Sequence, residues 1–195
     1  MKIGRLTGIF CAIVFITLFF SGMLNAVENI ENDILKIRKQ YQEIESNIKN
    51  LDKMESEGIT GYYDPENKQL VKITTALLRD WYEENCSFYF HEGELFFIFI
   101  ERCSGEEMFT TEELGITEEQ LWQSGWEAKT LKFSQDRIYV KKNKCIRYLS
   151  REKVLPVSNT NPELYKVKDH EVNPSEYDIS IIETGILLFK NFKLK

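Results

Sequence analysis

The side chains in this chain that could do chemistry are two histidines, 31 acidic residues and four cysteines. Their spacing gathers none of them into a motif. His91 follows Phe88-Tyr89-Phe90 beside a Glu92-Gly93 turn, and His170 sits in the charged run Lys168-Asp169-His170-Glu171. A working imidazole needs a partner fixed in space. The chain has no His-x-x-x-His, His-Glu-x-x-His or Cys-x-x-Cys, so a zinc site lacks its ligands. Gly-x-Ser-x-Gly and the P-loop are missing too. Acidic pairs recur at Glu83-Glu84, Glu106-Glu107, Glu112-Glu113 and Glu118-Glu119. Two carboxylates facing across a cleft would suit a small hydrolase, but acids adjacent in sequence are ordinarily a solvated face. No catalytic, cofactor-binding or metal-binding residue is assigned, and enzyme activity is not expected.

Cys86, Cys103 and Cys145 follow Cys11, which lies in the apolar N-terminal run. With a turn at Glu92-Gly93, Cys86 falls opposite Phe99, and Cys103 lies four residues further along that strand. The offset is roughly 13 Å, too far for an unstrained bridge. Buried free thiols are the expectation. Trp81-Tyr82, Trp122 and Trp126 flank the central hairpin's connections, where indoles cap a sheet core or form a contact platform.

The elements come from hydrophobic periodicity. Val27, Ile30, Ile34, Ile37, Tyr41, Ile44, Ile48 and Leu51 alternate spacings of three and four, which predicts one long helix over 27–57 stopped by Gly58. So narrow a stripe suits a coiled coil, and hence a homodimer through residues 27–57. Only Asp33 and Arg38 would support the interchain register, so packing within the chain is the favoured alternative.

Residues 58–155 read as a meander of hairpins. Ile138-Tyr139-Val140-Lys141-Lys142-Asn143-Lys144-Cys145-Ile146-Arg147-Tyr148 echoes residues 88–98, and a looser third copy begins at Gly61-Tyr62-Tyr63-Asp64. Each copy flanks a polar turn with apolar-aromatic runs. The predicted strands are Thr60–Asp64, Leu70–Leu78, Cys86–His91, Glu94–Arg102, Lys129–Phe133, Arg137–Lys141 and Lys144–Leu149. Leu95 to Ile100 is apolar at every position, which predicts a central strand covered on both faces. A short helical insertion near 111–124 opens with the capping box Thr117-Glu118-Glu119-Gln120. Residues 156–195 are a linker and a C-terminal helix capped by Asn173-Pro174-Ser175-Glu176, with a strand through Ile179 to Ile182 as the alternative. The fold class is α+β.

Lys2 and Arg5 precede an apolar run from Ile9 to Phe20 broken only by Thr17, and Ala26 offers a cleavage position. Residues 1–26 therefore read as a signal peptide, with an uncleaved anchor through residues 8–24 as the alternative. Either way the rest of the chain is expected outside the cytoplasm, periplasmic or extracellular. Removing Lys2 and Arg5 takes 25 basic residues to 23 against 31 acidic ones, a net charge of −8. That balance argues against nucleic acid and against an anionic membrane surface.

Gly61-Tyr62-Tyr63-Asp64, Phe88-Tyr89-Phe90 and Tyr139 through Tyr148 resemble uncharacterised small exported bacterial proteins built on Tyr-Tyr-Asp and Tyr-Tyr-Phe hairpins. The likeness spans roughly residues 58–150, and no activity accompanies it. The expected role is a non-catalytic binding module with a protein or cell-envelope partner. The alternatives are an inhibitor of a basic extracytoplasmic enzyme, for which the acidic charge would aid encounter, and a carboxylate-dependent hydrolase.

Overall fold

The computed structural model describes residues 29–79, 81–120, 127–159, 161–173 and 176–193. The expected signal or anchor segment lies outside them, as do Cys11, Trp122, Trp126 and the helix end near Gly125. Among the described residues no helix is long and apolar enough to cross a membrane. The chain divides into two compact units, Met1–Gln42 and Glu43–Lys195. Helix α1 covers residues 29–47, so its last five residues belong to the second unit.

The helix expected to reach residue 57 stops ten residues earlier. A 3-10 turn follows at Ile48–Asn50, and strand β1 occupies Asp52–Ser56. The residue that misleads is Gly58. Glu57 and Gly58 both take positive φ, 54° and 76°, and form the two-residue turn into β2 (Ile59–Tyr63) instead of stopping a helix. The described helix holds fewer than three heptads, short of the three to four that a coiled-coil pattern needs.

The sheet is an open antiparallel meander in strict chain order, with β1 and β8 as its edges. After β2 come β3 (Leu70–Arg79), β4 (Tyr82–His91), β5 (Glu94–Met108), β6 (Ala128–Lys141), β7 (Lys144–Pro156) and the short β8 (His170–Glu171). The three hairpins that carry the repeat copies share one irregularity. Each carries a register shift after its aligned tyrosine, at Tyr62/Tyr63, Tyr89/Phe90 and Tyr139/Val140. The extra residue bends each hairpin at the same height. Two of the turns, Glu92-Gly93 and Lys142-Asn143, have positive φ at both positions.

Two predicted strands, Lys129–Phe133 and Arg137–Lys141, are one strand. The polar residues between them stay extended because cross-strand partners hold them: Gln135 Nε2 donates to Glu101 Oε1 at 2.7 Å, and Asp136 is held by Arg102. Leu95, Phe96, Phe97, Ile98 and Ile100 are all buried, as the unbroken apolar run predicts. The insertion after β5 holds helix α2 (Thr111–Leu114) with its own capping box at Thr110, then the expected box, in which Gln120 N donates to Thr117 Oγ1 at 3.2 Å.

Helix α3 (Glu176–Lys193) is the predicted C-terminal helix, not the alternative strand. Ile181, Ile182, Gly185 and Phe192 are buried, with Ile186, Leu188 and Phe189 half-buried against the same core. Gly185 is there for close approach and not for a turn. A Cβ at Gly185 would lie 2.5 Å from Phe88 Cδ1.

Candidate functional site

Alternation along the strands assigns Phe88, Phe90, Leu95, Ile98, Ile138 and Val140 to one face of the sheet, and α3 packs there. The helix does not fill all the space it covers. Where its last two turns pass the hairpin tips, a cavity of about 820 Å3 remains. Its floor is buried Phe90 and Leu95, and half-buried Ile186 and Phe189 wall it. The Phe90 and Phe189 rings are 4.8 Å apart, centroid to centroid. The mouth is polar: Glu94, Lys142, Asn143 and Lys190 are exposed around it. A second cavity of about 560 Å3, bordered by Met54, Tyr63, Leu70 and Phe192, shares Gly93 and Phe189 with the first. Phe189 therefore stands between two open volumes. Each has the size and apolar lining of a small-molecule site.

The other end of the same face is filled by charge. Arg102 Nε donates to Glu84 Oε2 at 2.6 Å, and its Nη1 donates to Asp136 Oδ2. The Tyr82 hydroxyl donates to Glu84 Oε2 at 2.7 Å, and the Cys86 thiol lies 3.7 Å from Glu84 Oε1. Burial opposes the Glu84 charge, but the hydrogen bonds from Tyr82 and Arg102 and the guanidinium's field outweigh it. The carboxyl is held below its usual range. Burial first, then the Glu84 carboxylate, push the Tyr82 hydroxyl and the Cys86 thiol each up to about 12. A carboxylate held ionised is no general acid, and a thiol held protonated is no nucleophile. The chemistry of this cluster is spent on its own members.

On the opposite face Tyr62, Lys72, Tyr89, Phe97, Tyr139 and Arg147 stand in one row across six strands, β2 to β7. Lys72 Nζ lies 5.5 Å and 5.1 Å from the Tyr62 and Tyr89 ring centroids and donates to Glu45 Oε1 at 2.7 Å. The Tyr89 hydroxyl donates to the same oxygen at 3.0 Å. Glu45, in the last turn of α1, is thereby stapled to the sheet.

The residues that the sequence offered for chemistry do not converge. His91 is exposed at the β4–β5 tip, and His170 is exposed in β8 on the far side of β7. Of the acidic pairs, Glu83-Glu84 splits across the two faces, as neighbours on a strand must, and Glu84 alone turns into the charged cluster. Cys86, Cys103 and Cys145 are not bridged to one another. The bulge at Tyr89/Phe90 pairs Cys86 with Ile100 instead of the expected Phe99. Among the described residues no group of histidine, cysteine and acidic side chains could hold a metal ion. Sequence reasoning missed the Arg102 cluster and the tip cavity, because both are built from different strands brought into register. Trp81 is half-buried, with its Cβ 3.3 Å from where a Cβ on Gly105 would lie.

In comparisons with known proteins, no family model, no curated protein and no solved structure matches this chain.

Proposed function

We propose that this protein is an exported, non-catalytic binding module of the cell envelope, with its ligand site in the cavity between α3 and the hairpin tips. The observation that carries the reading is the 820 Å3 volume with an apolar floor and a polar mouth. Glu84 and Asp136 both serve Arg102 and neither lines the tip cavities, which supports the non-catalytic reading over the hydrolase alternative. The test is native mass spectrometry of the protein recovered from envelope fractions, wild type beside Ile186→Trp, which fills the cavity. A co-purified small molecule present in the first and lost in the second supports the reading. An empty wild-type protein that captures a basic enzyme in a pulldown overturns it in favour of the inhibitor alternative, which the acidic net charge favours.

A further inference from the structure

We infer that the tip cavity takes a monomeric single-chain amphiphile with an anionic headgroup, an inference that rests on the binding-module reading above. Three observations converge on that chemistry. The floor and walls, Phe90, Leu95, Ile186 and Phe189, offer no polar side chain to an apolar chain laid against them. The mouth is where charge appears, and Lys142 and Lys190 there outnumber Glu94. The turn that supplies Lys142 reads Lys141-Lys142-Asn143-Lys144, three positive charges in four residues of a chain whose net charge is −6.

The backbone explains why that turn reaches the mouth. Lys142 and Asn143 both take positive φ, 51° and 60°. The turn is tight, and pairing of β5 with β6 up to Phe97 and Tyr139 brings this lysine-rich tip beside the Glu92-Gly93 tip of the neighbouring hairpin. Lys190 also offsets the negative end of the α3 dipole, so it has a structural use. Lys142 lies in the β6–β7 turn and caps no helix. It occupies a position where glycine or asparagine would be more comfortable, and it borders the cavity. An apolar chain gains by leaving water along its whole length, and a carboxylate or sulfate left at the mouth keeps its hydration while meeting the two ammonium groups. A cationic head would meet them as like charges. A neutral head would gain nothing from them.

The experiment is isothermal titration calorimetry at low salt on the protein purified from its envelope fraction, with three probes of one chain length: laurate, dodecanol and dodecyltrimethylammonium. Laurate should bind at least tenfold more tightly than dodecanol, and the cationic probe most weakly. Lys142→Glu with Lys190→Glu should weaken laurate at least tenfold and leave dodecanol within threefold. Ile186→Trp should remove binding of all three, with circular dichroism unchanged. Equal affinity for the three probes, or a lysine pair variant that binds laurate normally, overturns the anionic assignment and leaves the binding-module reading standing. Absence of binding by any probe overturns the amphiphile assignment, and the binding-module reading then stands or falls on the native mass spectrum. Co-sedimentation with phosphatidylglycerol vesicles without laurate binding would place the lysines against a lipid surface and overturn the monomeric ligand.

Discussion

The two ends of the sheet face beneath α3 solve one packing problem in opposite ways. At the far end, Glu84, Arg102 and Asp136 fill the space with charges that satisfy one another, and Tyr82 and Cys86 close the set. At the tips, Phe90, Leu95, Ile186 and Phe189 leave the space open. A buried ion cluster is costly to assemble and costly to break, and it is poor at binding anything else once its partners are met. An apolar cavity forgoes dispersion and burial that a well-packed core would have, and a ligand can restore both. The charged end therefore reads as structure, and the apolar end is where the proposed ligand would sit. That is the reverse of what charged residues suggest when they are met in sequence.

The sharpest way to break this comparison is at the charged end. Arg102→Ala leaves the buried Asp136 and the half-buried Glu84 without their shared cation and is expected to cost about 3 kcal/mol in denaturant melts. A loss under 1 kcal/mol would mean that the cluster is solvated and available for chemistry. Gly185→Ala comes next, at about 1–3 kcal/mol, because the new methyl meets the buried Phe88 ring at 2.5 Å. A variant as stable as wild type would show that α3 can lift from the sheet.

The charged end also carries a pH signature. Cys86 holds its proton to about 12 in the folded chain, against an ordinary value near 9. Above about pH 9 the unfolded chain releases that proton and the folded one keeps it, so stability falls as pH rises through this window. Tyr82, raised to about 12 from 10, adds to the fall in the same direction. Glu84 works at the acid end: its depressed pKa stabilises the fold above the usual carboxylate range, and that share is lost as pH falls through the folded value. Melts of wild type and Cys86→Ala across pH 8 to about 11 should show a shallower alkaline decline in the variant. Parallel curves would locate the decline elsewhere.

At the open end the expected effects on stability are small. Phe189→Ala should cost about 1 kcal/mol, since the ring is half-buried and already borders empty volume on two sides. A cost of 3 kcal/mol or more would make that end an ordinary core. Glu92→Asn should stabilise slightly, by about half a kcal/mol. Glu92 sits at φ 51° in the first turn position, which asparagine tolerates better. A lowered melting temperature would mean that the glutamate side chain has a role at the tip.

Much of the scaffold was legible residue by residue. The unbroken run Leu95 to Ile100 forced two-sided burial, the Glu92-Gly93 and Lys142-Asn143 pairs fixed their turns, and Thr117 with Gln120 marked a helix start. Elsewhere local signals were ambiguous. Gly58 fits a helix stop and a hairpin turn equally well, and only pairing of β1 with β2 decides between them. Ser134-Gln135-Asp136 looks like a loop until Glu101 and Arg102 stand beside it.

The sequence by itself determined the α+β class, the central strand and the two-residue turns, because each depends on residues close together in the chain. Only the tertiary structure decided where the chemistry lies. Glu84, Arg102 and Asp136 are separated by 18 and 34 residues and meet through strand register. The tip cavity needs β4, β5, the β6–β7 turn and a helix almost a hundred residues from Phe90 to come together. Side-chain periodicity tells which face a residue takes. It carries no record of which distant residue will stand opposite, or of the volume left between them.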